Sequence, residues 1–309
     1  MSASDRWVGV DVGGTKILAV LVDDAGDVVS STTRPMPGRT APDAEIEAAI
    51  VAAVHDVTGG ESPAGVGISA AGLVDRAREH YLFGAHLPWR GAPLRERLAE
   101  QLAGPRVVID NDANCAAYAE VVAGAAREVD SAVLITIGTG IGGALVLGGR
   151  VLRGAHGLAG EFGHQQVVPD GLPCECGLRG CWEQYCSGRA LERVTRVSLG
   201  RHLDGPEVAA LAHAGDEVAL RAFGSVGTWL GVGVAGLVSA FDPAIVIIGG
   251  GVSAVGDLLL DPARAALLDS LQGVGHRPVP SIVPTRFGPD AGAVGAALLV
   301  RDDGAGGAL

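Results

Sequence analysis

Two stretches of the chain share one hydrophobic and polar pattern. "VGVDVGGTKILAVLVDDAGDVV" (Val8 to Val29) and "VLITIGTGIGGALVLGGRVLRG" (Val133 to Gly154) each run through a β-rich segment, a Gly/Thr turn, a second β-rich segment, a short glycine turn and a third. With Asp11 laid on Thr136, Gly13 falls on Gly138 and Ala19 on Ala144. The chain thus holds two copies of a hairpin-led unit. Helical and strand periods alternate after each copy. Asp43 to Val57 reads as helix, Ala64 to Ser69 as strand, Pro93 to Leu102 as helix and Arg106 to Asp110 as strand. Further on, Asp216 to Phe241 is a long helical stretch, "AIVIIGGG" a buried strand and "DAGAVGAALLV" a closing helix.

Strands alternating with helices predict a largely parallel, covered sheet in each half, with ligands at the carboxyl ends of the strands. The glycine turns after Val12, Ile137 and Ile248 all fall at such ends. Any one of them alone reads as a tight connection without a ligand. Three at related positions point to phosphate, because successive N–H groups in a glycine turn form an anion-binding concavity that no Cβ obstructs. The string G-x-x-x-x-G-K-[ST] is absent, so a P-loop is excluded.

Composition narrows the function classes. At 309 residues the chain is long enough for two domains, and it carries 48 glycines where average usage of about 7% would give roughly 22. Its 23 basic and 35 acidic residues give a net charge of −12 without a basic run, which argues against nucleic acid or an anionic membrane as partner. The N-terminus lacks a basic region followed by an apolar core, so a cytoplasmic protein is expected. Five cysteines in such a chain point to reduced thiols or metal ligands rather than a disulfide framework.

Two clusters carry candidate chemistry. Asp110, Asn111 and Asp112 follow the apolar "VVI" where a helix begins; they read either as turn formers and N-caps or as a catalytic group. The segment "EFGHQQVVPDGLPCECGLRGCWEQ" holds His164, Cys174, Cys176 and Cys181, which read either as reduced buried thiols beside an unrelated histidine or as a closed Cys₃His zinc set. Cys115 and Cys186 lie outside that pattern and are expected to pack.

Taken in order, "DVGGTK", "GISAAGLVD", "DNDANCAAYAE", "GTGIGGALVLGG" and "GEFGHQQVVPDGLPCECGLRGCWEQYCSG" resemble the ROK family of sugar kinases, most nearly its bacterial glucokinases, over essentially the whole chain. The resemblance implies a two-lobed actin/hexokinase-like (ribonuclease H-like) α/β ATPase fold with duplicated hairpin-led mixed sheets and a central cleft. The expected lobes are 1–110 with 291–309, and 111–290 bearing the zinc loop. It also implies ATP and Mg²⁺, transfer of the γ-phosphoryl group to a hexose hydroxyl, a structural Zn²⁺ and a dimer or tetramer.

By the same resemblance Asp112 is the catalytic base, and Gly72, Asn111, Asp112, Glu161, His164 and Glu183 bind the hexose. Asp110 receives no proton-transfer role. Asp11 orients Mg²⁺ through water, while Gly13, Gly14, Thr15 and Lys16 meet phosphates with N–H, hydroxyl and ammonium groups. Thr136, Gly138, Thr139 and Gly140 are their counterparts, and Gly249, Gly250 and Gly251 form the nucleotide-side turn. His164, Cys174, Cys176 and Cys181 are the zinc ligands, with one histidine nitrogen left for sugar.

One departure bears on substrate: His86 in "FGAHLPWRGAPL" stands where the family's glucokinases commonly carry Asn, on a loop expected near the sugar. Mannose, N-acetylmannosamine, fructose or allose as acceptor, and polyphosphate as donor, remain alternatives to glucose and ATP. A catalytically silent sugar sensor is the non-enzyme alternative. ROK repressors carry a DNA-binding domain ahead of the kinase-like part; with ten residues before Asp11 and an acidic chain, none is expected here.

Overall fold

The computed structural model describes residues 6–38 and 40–303. In the first hairpin-led copy, β1 (Trp7–Val12), β2 (Lys16–Val22) and β3 (Val28–Pro35) form an antiparallel meander. After α1 (Asp43–Thr58) comes β4 (Gly65–Ala70), parallel to β1; after the short pair β5 (Leu73–Val74) and β6 (Tyr81–Phe83) and helix α2 (Leu94–Leu102) comes β7 (Arg106–Asn111), parallel to β4. The sheet order β3-β2-β1-β4-β7 is therefore mixed, antiparallel where hairpins connect and parallel where helices do. Ile46, Ile50 and Val54 of α1 pack with Val10, Ile17, Leu87 and Trp89 in a core from which water is excluded.

Register carries the chemistry. Asp11 of β1 pairs with Ser69 of β4, which pairs with Asp110 of β7. Three polar residues thus share one row of the sheet, at the carboxyl ends of its parallel strands. Two rows before them, Gly9 pairs with Gly67 and Gly67 with Val108. Two residues earlier along a strand is the same face, and helix α8 (Ala291–Asp303) lies directly on these glycines. A Cβ at Gly9 would fall 1.8 Å from the Ala293 carbonyl oxygen, and one at Gly67 would fall 1.9 Å from that of Ala296. Gly67→Ala is accordingly expected to lose about 1–3 kcal/mol of stability as α8 is pushed off the sheet. Thermal unfolding checks this, and an unchanged midpoint would contradict it.

The second copy gives β8 (Ser131–Ile137), β9 (Ile141–Leu147) and β10 (Arg150–Val151), in the sheet order β10-β9-β8-β11-β12, with β11 (Ile245–Gly249) parallel to both β8 and β12 (Ser281–Pro284). Helices α4 (Gly188–Leu199), α5 (Gly205–His213), α6 (Glu217–Phe241) and α7 (Asp257–Ser270) complete it. Helix α6 is long and apolar enough to cross a membrane, but most of its apolar stretch is buried in the core. Gly227 and Gly231, one turn apart, let it approach α7 closely: a Cβ on either would meet the Leu259 or Ala263 carbonyl oxygen at 2.5 and 2.3 Å.

The chain divides into two compact units, 1–130 with 144–160 and 289–309, and 131–143 with 161–288. The expected cut fell after residue 110, within the first of these units. Helix α3 (Asp112–Ala123) belongs to the first unit because it packs on α8 so closely that a Cβ on Gly295 would overlap the Cys115 carbonyl oxygen. The strand end and loop 144–160 join that unit as well. The outer ends of the expected smaller lobe, 1–5 and 304–309, lie outside the described residues.

Candidate functional site

In the first unit β7 ends at Asn111, which is also the N-cap of α3. Its side-chain oxygen accepts from Asn114 N at 3.0 Å, and its amide donates to Gly72 O and to Asp112 Oδ1, both at 2.9 Å. Asp112 Oδ1 also accepts from Ala113 N at 3.0 Å. Within this triplet Asn111 is the cap, and Asp112 is the carboxylate in the first helical turn. Gly72 has φ +140°, and a Cβ there would fall 2.2 Å from the Tyr81 hydroxyl, so only glycine closes the corner onto which Asn111 is clipped. Tyr81, which the sequence did not flag, donates to Ala71 O at 2.7 Å. Burial first, and then the Asp112 charge, push its phenol far above the usual range.

Asp11 Oδ1 accepts from Ser69 Oγ at 2.5 Å. Burial raises the Asp11 carboxyl; the Ser69 hydrogen bond and Lys16 pull it down, and the negative charge of Asp290 pushes it up again. A recessed carboxylate with a second one near enough to disturb it is an arrangement that a divalent cation would relieve. Ser69 was legible as the one hydroxyl in the buried strand "GVGISA".

In the turn between β1 and β2, the Gly13 N–H is donated to Lys16 O at 3.0 Å. Gly14, Thr15 and the exposed Lys16 remain at the turn. His86 lies over this turn, its Cβ 3.0 Å from where a Cβ on Gly14 would stand.

The second unit brings its own predicted residues together. Gly249 pairs with Thr136 in the parallel register of β11 and β8. Gly250, at φ +84°, lies so near Ile137 that a Cβ would stand 2.4 Å from its carbonyl oxygen. The Gly138 N–H, like that of Gly13, is spent inside its own turn, on Gly140 O at 2.9 Å. Gly138 O in turn accepts from Gly188 N at the start of α4. The turns at 138–140 and 249–251 and the head of α4 therefore converge, with Thr139 exposed.

The cysteine segment is anchored by Trp182. Its ring is fully buried against Gly233 of α6, and its Nε1 donates to Trp229 O at 2.7 Å. Glu183 follows in a one-turn helix, and its Oε2 accepts from Ile141 N at 2.9 Å. A Cβ on Gly140 would lie 2.0 Å from that same oxygen. With Glu183 in its expected hexose-binding role, Gly140→Ala should displace it and raise KM for the acceptor about tenfold, since a hydrogen bond to a charged group is worth about 1.5–3 kcal/mol. Steady-state kinetics at saturating donor checks this, and an unchanged KM would contradict it.

Glu161 precedes the one-turn helix Phe162–His164. Its carboxyl is raised by partial burial, lowered by His164 and raised again by Glu183, which places the two glutamates within electrostatic reach of each other. His164 Nδ1 is 3.7 Å from Cys174 Sγ, while its Nε2 is 3.9 Å from Glu161 Oε2. Cys176 and Cys181 have their sulfurs 3.6 Å apart, and one ligand atom from each of the four residues lies within 4.8 Å of the others. A tetrahedral zinc with Zn–S of about 2.3 Å has edges of about 3.8 Å, so the set fits such an ion. Cys115 and Cys186 are buried and stand outside it.

Two hairpin-led mixed sheets, with glycine turns and acidic or hydroxyl residues at the carboxyl ends of their parallel strands, define the actin/hexokinase-like ATPase fold. Within that class the chain belongs to the ROK family, whose model matches residues 7–303. It is 41% identical to the glucokinase of Streptomyces coelicolor, covering 96% of this chain and 97% of that one. A ROK family glucokinase from Streptomyces griseus, solved in complex with glucose and AMPPNP, superposes with a TM-score of 0.89 at 41% identity, covering 96% of this chain and 99% of that one. The ROK hexokinase of Thermus thermophilus gives a TM-score of 0.78 at 36% identity, covering 98% and 100%.

Proposed function

We propose that this chain is a cytoplasmic, ATP-dependent glucokinase that transfers the γ-phosphoryl group of ATP to the 6-hydroxyl of glucose. The observation that carries this reading is the Asp112 carboxylate at the head of α3, fixed by the Asn111 amide, in a chain that matches a glucokinase bound to glucose and AMPPNP along 96% of its length. Asp112 takes the proton of the 6-hydroxyl as that oxygen attacks the γ-phosphorus in line; the bond from phosphorus to the bridging oxygen breaks, and ADP leaves. Asn111 orients Asp112. Glu161, His164 and Glu183 carry the remaining hexose contacts, since paired carboxylates accept hydroxyls well and are left unpaired by sugars that lack them.

Mg²⁺, when bound, neutralises charge on the transferring phosphates; Asp11, hydrogen-bonded to Ser69, is the carboxylate placed to hold its waters. Lys16 and the turns at 13–15, 136–140 and 249–251 serve the phosphates. His164, Cys174, Cys176 and Cys181 hold a structural Zn²⁺. A sugar panel with ATP and with polyphosphate as donors tests the reading. Glucose with ATP should give the highest kcat/KM. Sugar binding without ADP formation would overturn the kinase reading, and a different preferred hexose would overturn glucose as its acceptor, with His86 the first residue to exchange for Asn.

A further inference from the structure

Asp110 is the acid of the "DND" triplet that the proposed reaction leaves unused, and both its carboxylate oxygens accept hydrogen bonds. Its side chain is 2% exposed, and that of its partner Arg153 is 10% exposed. Oδ2 accepts from Arg153 Nε at 2.8 Å, with Arg153 Nη2 at 2.7 Å; Oδ1 accepts from Asn111 N at 2.8 Å and from Asn114 Nδ2 at 3.1 Å. Asn114 thereby grips both sides of the helix start: its backbone N–H goes to Asn111 Oδ1 and its amide to Asp110. Asn111 in turn holds Asp112. A continuous run of hydrogen bonds leads from Arg153, three residues past the start of β10, to the carboxylate at the head of α3.

We infer that the Asp110–Arg153 ion pair is a positioning device for Asp112. It fixes the end of β7 against the first turn of α3, and it does so with no net charge beside the base. An unpaired Asp110 could make the same backbone contacts, but its negative charge would disfavour the ionised Asp112 that a base requires. Other groups in the first unit that face this point are Tyr81 of β6 and Cys115 of α3, with Asp11 of β1 behind Cys115. Burial holds the Tyr81 phenol and the Cys115 thiol in their neutral forms. The balance of Asp110 against Arg153 is therefore a fixed charge beside Asp112 that a substitution can tip.

This inference rests on Asp112 as the base, and the test separates the two. Asp110→Asn, Arg153→Gln, Arg153→Lys and the double variant Asp110→Asn/Arg153→Gln are assayed for kcat, for KM of glucose and for the pH profile of kcat. Displacing a catalytic group by about 1 Å can cost about 10²-fold. Asp110→Asn and Arg153→Gln should each lower kcat about 10- to 100-fold with KM within about threefold.

The acid limb should move in opposite directions. In Asp110→Asn the uncompensated Arg153 favours ionised Asp112 and shifts the limb to lower pH; in Arg153→Gln the uncompensated Asp110 shifts it to higher pH. Arg153→Lys keeps the charge, so its limb should stay in place while part of kcat returns. Wild-type kcat in either folded single variant, or limbs that stay put or move together, would overturn the inference. Should a lone buried charge prevent folding, the double variant, which buries none, decides: slow turnover with an unshifted limb supports the pair, and wild-type kcat refutes it. Full activity in Asp112→Asn would instead remove the base reading itself, whereas an inactive Asp112→Asn beside wild-type-like pair variants would remove only the pair.

Discussion

Asp112→Asn is expected to bind glucose within several-fold of the parent and to turn it over at least about 10²-fold more slowly, the size of a lost general base. The two effects separate because of how the carboxylate is held. The hydrogen bonds from the Asn111 amide and from Ala113 N end on Asp112 Oδ1, and an asparagine Oδ1 accepts them too. The head of α3 therefore stays in place, and only the capacity to accept a proton is lost. An acidic residue in a first helical turn contributes about 0.3–1 kcal/mol through the helix dipole, so the thermal midpoint should fall by only a few degrees. The acid limb of the kcat profile should disappear with the carboxylate. Near-normal turnover in a folded Asp112→Asn protein would show that proton transfer lies elsewhere.

The same residues show why part of the site was legible in the sequence and part was not. Alternating apolar runs around glycine turns are local, so both hairpins, β4, β7, β11 and the long helices α1, α6 and α8 could be read directly from the chain. Placing Asp112 after an apolar strand required nothing distant either. Register across parallel strands is different, because it joins segments tens of residues apart. Asp11, Ser69 and Asp110 become neighbours only when β1, β4 and β7 pair, and no local pattern states that pairing.

Arg153 is the extreme case: its partner is forty-three positions away and it stands in a loop with no periodicity. The placement of α3 is non-local in the same way. Helix α3 follows β7 in sequence like any strand-to-helix crossover, while contacts such as Cys115 with Gly295 and the Tyr118 hydroxyl with Asp302 tie it to the closing helix. A glycine turn suggests free N–H groups, yet in both copies the first glycine spends its own on closing the turn.

Removing zinc should cost stability and sugar affinity together: at least about 3 kcal/mol, or roughly 6–12 °C in Tm, with a loss of about tenfold or more in glucose affinity. The coupling follows from His164, whose Nδ1 faces the Cys174 sulfur while its Nε2 faces Glu161. A metal bound on the sulfur side fixes the tautomer and the ring plane, and so fixes what the other nitrogen and Glu161 can present to a hydroxyl. Glu183 should be less affected, since Trp182 anchors it in the core through Gly233 and Trp229. Stripped protein and Cys176→Ser are measured by metal content, thermal unfolding and glucose titration. Cys186→Ala, which lies outside the cluster, serves as the control and should keep both zinc and affinity. A zinc-free protein that binds glucose as tightly as the parent would break the link between the metal and the sugar. The four ligands would then be a staple for the loop alone.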